Sequence, residues 1–464
     1  MRDTRNSRPA GQAVHYVVLG SILLLALFLR IAAITGSLVE DPVRGDSLSY
    51  FFYGVNLQSE QVYSRSIPPL FGGSRVIPDA DVPPGYPLLV SALLKKDWQS
   101  GTADGAYSSI TRIIYAQAGL SSLVVVLVYC IGLQVSSRGG ALGVALLAAI
   151  SPHLVNINIY LLTEPLFTLM FWTAMLFLLH RRDSFSPRRL ALAGLFLALA
   201  ALVRPTTQYL PFLLAAVGIA GTPALWRRWT LFLAVFTLPM LAWGLRNLAS
   251  VGAFSNPLAM VAAVQTGMYP DFMYNNIPES RGMPYNFDPV LTSPRSLSLA
   301  LSVLAERFME APGTYLHWYL IGKPLALFHW HIMPIGADDQ ELLLSGDIYV
   351  FPTVLTPYGY NPLFIATYVA SRILYLPLLL LAAAAAILAW VPALRPAWGS
   401  ALTGMRLLSL TLVYVTGIHM VGSPFPRYAI PFQPLLYLLA AGLLALIWRQ
   451  WREHRTPGSG SGLS

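Results

Sequence analysis

The chain has 464 residues, of which 55% are hydrophobic and only 11% charged, whereas a soluble domain carries roughly a quarter charged residues. That excludes a string of ordinary soluble domains. The net charge of +9 does not mark a nucleic-acid binder either, because the basic residues lie in short clusters between apolar blocks rather than in one patch. A single cysteine, Cys130, excludes an intrachain disulfide and leaves the loops to be held by packing.

The first apolar block, Val14–Thr35, is too long for a signal-peptide core and has no small-residue cleavage site after it, so it is expected to stay as a first span. Further blocks follow at Ser121–Leu133, Leu231–Leu245, Leu363–Val391 and Pro431–Trp448. Blocks near this length match a hydrocarbon core of roughly 30 Å, where spanning backbone must satisfy its own hydrogen bonds as helix. Leu190–Gly221 would be roughly 48 Å long as one helix. Interrupted by Pro205 and Pro211, it is expected to form two short spans with a tip at Arg204–Thr207. The sequence thus predicts an all-α, polytopic membrane helical bundle of about ten spans, with juxtamembrane helices in its first loop.

Basic residues mark the cytoplasmic ends of spans. Setting Arg2/Arg5/Arg8, Arg138, Arg181/Arg182/Arg188/Arg189, Arg227/Arg228, Arg395/Arg406 and Arg449/Arg452/Arg455 inside gives an up-and-down path with both termini cytoplasmic. The 21 acids, unused in building that path, agree with it. Only Asp3, Asp183 and Glu453 fall inside, Glu164 falls in a span, and the rest lie outside, chiefly in Gly36–Ala106 and Ser250–Asn361. The expected organisation is an N-terminal membrane module over residues 1–248 whose first outer loop covers 36–106, an external or interfacial segment over 249–362, C-terminal spans over 363–456 and a disordered Gly/Ser tail over 457–464. Gly313–Met333 is apolar and aromatic around Lys323; span parity makes it interfacial or re-entrant, with a true span left open. Lys95, Lys96 and Lys323 are the only lysines among 30 basic residues, which points to a GC-rich genome and a bacterial inner membrane.

The first outer loop carries the informative residues. Ser47–Leu57 is expected to be a short helix lying on the membrane, with Asp46 either as its N-cap or as a reactive carboxylate, and Tyr50 one turn on, facing the same side. Asp79 and Asp81 precede the stiff run Pro83-Pro84-Gly85-Tyr86-Pro87 and a second amphipathic helix, Leu88–Lys96. Arg30, Arg204, Arg246, Arg372 and Arg427 sit near the outer ends of spans, where topology does not require arginine. A guanidinium at the membrane boundary either snorkels or offers its planar fork to phosphate oxygens. Glu164 is the only acid assigned to the membrane, a functional candidate by default unless it merely pairs with an arginine. His329 and His331 lack a clear third ligand and read better as an aromatic belt; whether a divalent metal is needed is not legible.

Six segments in order, GDSLSY, DVPPGYPLLV, TEPLFTLMF, LVRP, PMLAWGLRNLASVGAF and FPRYAIPFQPLLYLLAA, resemble the membrane glycosyltransferases of the C-type fold. They are most similar to the branch holding the protein O-mannosyltransferases and the bacterial lipid A aminoarabinose transferase. The resemblance implies a sugar donor on a polyprenyl phosphate and transfer outside the cytoplasmic membrane to a glycan, lipid or protein acceptor. It matches Asp46 to the family's catalytic first-loop aspartate and Asp81 to the acid before its Pro-Pro pair. The chain departs from that branch with Val82 where the lipid A enzymes have lysine, and with Gly45 where two adjacent acids are common. The chemistry agrees: a phosphate leaving group requires no general acid, one carboxylate can deprotonate the acceptor hydroxyl, and cations can stabilise the departing phosphate. Catalysis is therefore expected from Asp46 and Asp81, and substrate binding from Tyr50, Tyr86, Glu164, Arg204, Arg246 and Arg427. The competing classes are a secondary transporter, which calls for midplane charges and inverted repeats not seen here, and a lipid-handling protein without glycosyl transfer.

Overall fold

The computed structural model describes residues 9–39, 43, 45–94, 103–179, 185–256, 258–282, 284–291, 296–331 and 353–455. The Gly/Ser tail and Arg181/Arg182 lie outside these residues. The chain is a helical bundle whose apolar runs become helices, as hydrocarbon demands. The first long helix, α1 (Pro9–Gly36), leads into a loop that holds α2 (Asp46–Ser59) and α3 (Gly85–Leu93). Then come α4 (Ala103–Val135), α5 (Arg138–Ile150), α6 (Pro152–Asn156), α7 (Glu164–Leu178), α8 (Pro187–Val203), α9 (Leu210–Gly221) and α10 (Trp226–Val251). A mixed segment contains α11 (Leu258–Gly267), α12 (Leu297–Glu310), α13 (Pro312–His317) and α14 (Lys323–Leu327). Three helices close the described chain: α15 (Pro362–Leu388), α16 (Leu402–Val421) and α17 (Gln433–Arg455).

Among the described residues six helices are long and apolar enough to cross a membrane, or seven if the pair around Ser151, bent by 50°, is one span. The chain is a multi-pass membrane protein. The two short helices expected from Leu190–Gly221 form as α8 and α9, but α7, α8 and α9 have 15, 17 and 12 residues, fewer than the roughly 20 that cross a hydrocarbon core. The expected count of ten therefore exceeds what helix length supports. The break after Val203 does fall where Pro205 predicts it: Arg204 is extended (φ −145°, ψ 123°), as the residue before a proline prefers. Ser151 before Pro152 breaks α5 from α6 in the same way. The carbonyls that this break frees at the end of α5 are taken up by Arg30, whose guanidinium donates to Ala149 O at 3.3 Å and Ala148 O at 3.4 Å, and to Ser121 Oγ at 2.8 Å. Of the expected segment Gly313–Met333, residues 332 and 333 lie outside the described residues; within the described part no candidate span is found, and α13 and α14 are joined there by a π turn over Trp318–Gly322.

In the first loop the structure shifts both expected helices. The second begins at Gly85 rather than Leu88, because Pro87 in a first turn forfeits no hydrogen bond. Leu38–Val39 pairs antiparallel with Thr353–Leu355, tying the start of this loop to the chain just before α15. The loop packs down on the bundle through buried Phe51, Val55 and Val90, with α3 against α8.

Candidate active site

The helix α2 begins at Asp46, and its N-cap is Gly45, not Asp46 as the sequence suggested. Gly45 has φ 54°, a conformation in which a side chain would be strained, and no side chain caps this end. The Asp46 carboxylate is thereby released from capping. It turns to Arg427, whose Nη1 lies 3.1 Å from Asp46 Oδ2. Just over half of the Asp46 side chain is exposed (55%). Ser47 Oγ donates to Leu161 O at 3.0 Å and fixes this end of α2 to the stretch before α7.

Glu164 opens α7 and is fully buried. Its Oε1 accepts from Arg427 Nε at 2.7 Å and from Arg204 Nη1, while Thr163 Oγ1 lies 3.3 Å from both Glu164 Oε2 and Arg204 Nη1. Charges therefore alternate along one line, Asp46, Arg427, Glu164, Arg204, and sum to zero. The Tyr428 ring lies under Arg204, with 4.9 Å from Cζ to the ring centre. Each member comes from a different break: the start of α2, the start of α7, the end of α8, and the 3-10 turn Pro426–Phe432. Tyr50 faces this line, where burial and the Asp46 and Glu164 carboxylates push its phenol pKa up, so it remains a hydroxyl. It packs edge-on to Tyr86 at 5.0 Å. Tyr86 itself is fully buried and donates to Gln117 Oε1, and Gln117 Nε2 in turn donates to Tyr160 O at 2.8 Å.

The remaining candidates form a second network from other residues. Asp79 accepts from Tyr53 Oη, from Arg65 N at 2.7 Å and from Asp81 N at 3.3 Å. Asp81 pairs with Arg65 Nε at 2.7 Å and accepts from Asn256 Nδ2. Arg246 donates to Asp79 O at 2.8 Å and lies 5.0 Å from the centres of both the Tyr63 and Trp243 rings. Of the three arginines expected to bind substrate, the structure gathers Arg204 and Arg427 on Glu164 and sets Arg246 in the loop scaffold. Gln117, Arg65 and Asn256 carried no sequence signal, being single polar residues without spacing; Tyr428 was legible only as the neighbour of Arg427. Arg372 lies 5.6 Å from the Trp330 ring centre, away from the charged line's own contacts.

Among the described residues no group of three or more His, Cys, Asp or Glu side chains is arranged to hold a metal ion. His329 Nδ1 contacts His331 O at 3.0 Å instead. The two carboxylates of the charged line do not fit a divalent ion between them either, because the Arg427 guanidinium fills that place.

No protein-family model matches the chain, and no curated protein matches it by sequence. Solved structures do. ArnT from Cupriavidus metallidurans bound to undecaprenyl phosphate aligns with a TM-score of 0.37 and 14% identity, over 89% of this chain and 78% of that one. The archaeal oligosaccharyltransferase AglB from Archaeoglobus fulgidus, in complex with an inhibitory peptide and a dolichol-phosphate, aligns with a TM-score of 0.50 and 14% identity, over 98% of this chain and 53% of that one. The same enzyme tethered to an acceptor peptide gives 0.50 and 14% over 97% and 52%. The chain spans about half the length of these oligosaccharyltransferase chains. At this identity the likeness speaks for the backbone arrangement alone: together with the membrane-length helices it shows a polytopic helical fold similar to that of the archaeal oligosaccharyltransferase.

Proposed function

We propose that the protein is an inverting glycosyltransferase that moves a sugar from a polyprenyl-phosphate donor to an acceptor hydroxyl on the external face of the cytoplasmic membrane. The observation that carries this reading is the half-exposed Asp46 carboxylate beside an arginine pair anchored on buried Glu164. Asp46 takes the acceptor proton as the acceptor oxygen attacks the anomeric carbon from the face opposite the phosphate. The bond from that carbon to the phosphate oxygen breaks, and the polyprenyl phosphate leaves with the electron pair. Arg427 and Arg204 gain strength against the phosphate as its charge grows, which lowers the barrier. Glu164 holds both forks in register, and Tyr50 supplies a hydroxyl at the same place. Residues 1–248 then carry Asp46, Glu164 and Arg204, and the C-terminal helices over 363–456 return Arg427 to them.

A strain lacking the gene should accumulate a polyprenyl-phosphate sugar, read by lipid mass spectrometry. An unchanged pool of lipid-linked sugars would count against the reading. Orientation has its own test in a Cys130→Ser background. Glu60→Cys and Glu279→Cys should label with an impermeant thiol reagent from outside, and Ser400→Cys only once the membrane is opened. Labelling of Ser400→Cys in intact cells would invert the assignment.

A further inference from the structure

The position of Arg427 depends on the turn before it, and that turn is gripped by a distant part of the chain. α16 ends at Val421, and Gly422–Phe425 carries the chain into the 3-10 turn where Arg427 is second. The last carbonyls of an α-helix have no partner within it. Here Met420 O and the following Gly422 O both accept from Lys323 Nζ, at 2.7 and 3.0 Å. Lys323 is fully buried at the start of α14, and its ammonium lies 3.9 Å from the centre of the Tyr319 ring. A buried ammonium is costly unless its protons find acceptors, and a helix C-terminus with an aromatic face is the surrounding that suits it.

Three further contacts act on the same turn from the same segment. Ser423 Oγ donates to Ala263 O at 2.7 Å. The ring of Phe425 stacks on Phe272 with centres 4.6 Å apart and planes 10° from parallel. Gly267 sits so close to the Gly422 carbonyl that a Cβ there has no room, and Trp318 Nε1 holds Gly267 O at 2.9 Å. Asp271 and Phe272 both have positive φ, 51° and 55°, a region that non-glycine residues avoid and that persists where surrounding structure dictates it. On its other side Phe425 meets Tyr428 edge-on at 5.6 Å, and Tyr428 lies under Arg204. The contacts thus run from Phe272 through Phe425 and Tyr428 to Arg204, and Arg427 lies in the chain between Phe425 and Tyr428, just beyond the turn that Lys323 holds.

We propose that α11, the turn Pro270–Phe272 and the stretch Trp318–Leu327 form a clasp that sets Arg427, with Lys323 as its principal positioning residue; the catalytic consequence rests on reading the charged line as the transfer centre. A plain helix cap gives stability alone, whereas a clasp acts through Arg427, and the two differ in a double-mutant cycle. The full-length protein in lipid nanodiscs is compared as wild type, Lys323→Met, Arg427→Lys and the double variant, using a synthetic polyprenyl-phosphate sugar. Lys323→Met should raise the donor KM about tenfold and leave the acceptor KM unchanged, with little further effect once Arg427→Lys is present. Lys323→Arg should restore part of the loss. Hydrogen exchange of the peptide covering residues 422–428 should be faster in Lys323→Met, a readout that needs no activity. Equal losses with and without Arg427→Lys, or unchanged exchange, would overturn the clasp. If the wild type transfers no sugar, the functional reading falls while the exchange result alone decides the clasp. If Lys323→Met does not fold, Phe272→Leu, which removes the stack on Phe425, is judged by the same two readouts.

Discussion

Two acid–base networks flank the first loop, and they differ in where their carboxylates direct their lone pairs. Asp79 directs both oxygens into its own loop, to two backbone N–H groups and the Tyr53 hydroxyl, and Asp81 is tied to Arg65 and Asn256. Those bonds hold the extended arm before Pro83 in shape. Asp46 has no capping duty; its carboxylate meets a guanidinium brought from the far end of the chain, and over half of its side chain remains open. A carboxylate satisfied by local backbone serves the shape of its loop, whereas a half-exposed one paired with an arginine keeps lone pairs free for a further donor, which is why the proposed reaction is placed on Asp46. Both were candidates as sequence. Only the direction of their bonds separates them.

That contrast is open to direct attack, and the largest effect is expected at Asp46. Asp46→Asn keeps the shape but takes no proton, so turnover should fall on the order of 10²-fold or more while donor binding persists. Near-normal transfer by the purified variant would remove Asp46 from the mechanism. Next in size are the arginines. Arg204→Ala and Arg427→Ala each remove charged hydrogen bonds worth roughly 1.5–3 kcal/mol, and donor KM should rise more than acceptor KM, with lysine rescuing only in part. Arg246→Ala should shift donor KM far less, since Arg246 supports the loop; a donor defect equal to that of Arg427→Ala would merge the two networks.

A smaller effect is expected at Asp81. Its pair with Arg65 is largely at the surface, where such pairs contribute at most about 1 kcal/mol, so Asp81→Asn should leave turnover within a few-fold of wild type. A loss as deep as that of Asp46→Asn would return Asp81 to the reaction. The smallest concerns acid. Burial raises the Asp288 pKa, but hydrogen bonds from Tyr269 and Arg307, the latter at 2.5 Å, outweigh it and hold the carboxyl below its usual 3.8. A depressed carboxyl contributes stability above its unfolded pKa and loses it as pH falls through the folded one. Melting curves taken downward from pH 5 should therefore lose stability below about pH 4 in the wild type, and less steeply in Asp288→Asn. Identical slopes would show that this buried pair is not the acid-sensitive contact.

Much of the fold was legible because hydrocarbon enforces it: apolar blocks become helices, and the step before Pro205 breaks the chain at Arg204, whereas the break at Ser151 carried no expectation and Pro239 and Pro377 lie inside unbroken helices. Asp46, Glu164, Arg204 and Arg427 stood out as charges where the membrane boundary makes charge expensive. The cap of α2 was misread because Asp is a good cap by type, while Gly45 occupies that place through a backbone conformation that residue type alone does not reveal. Sequence by itself determined the helical membrane class, the break at Arg204 and the roster of charged candidates, since each follows from local composition and the sterics of the residue before proline. Only the tertiary structure decided that Arg427 joins Asp46 to Glu164, that Arg246 serves the loop, and that Lys323 holds the turn before Arg427. Those pairings close over long stretches of chain, and burial makes each charge take the partner that packing brings within reach.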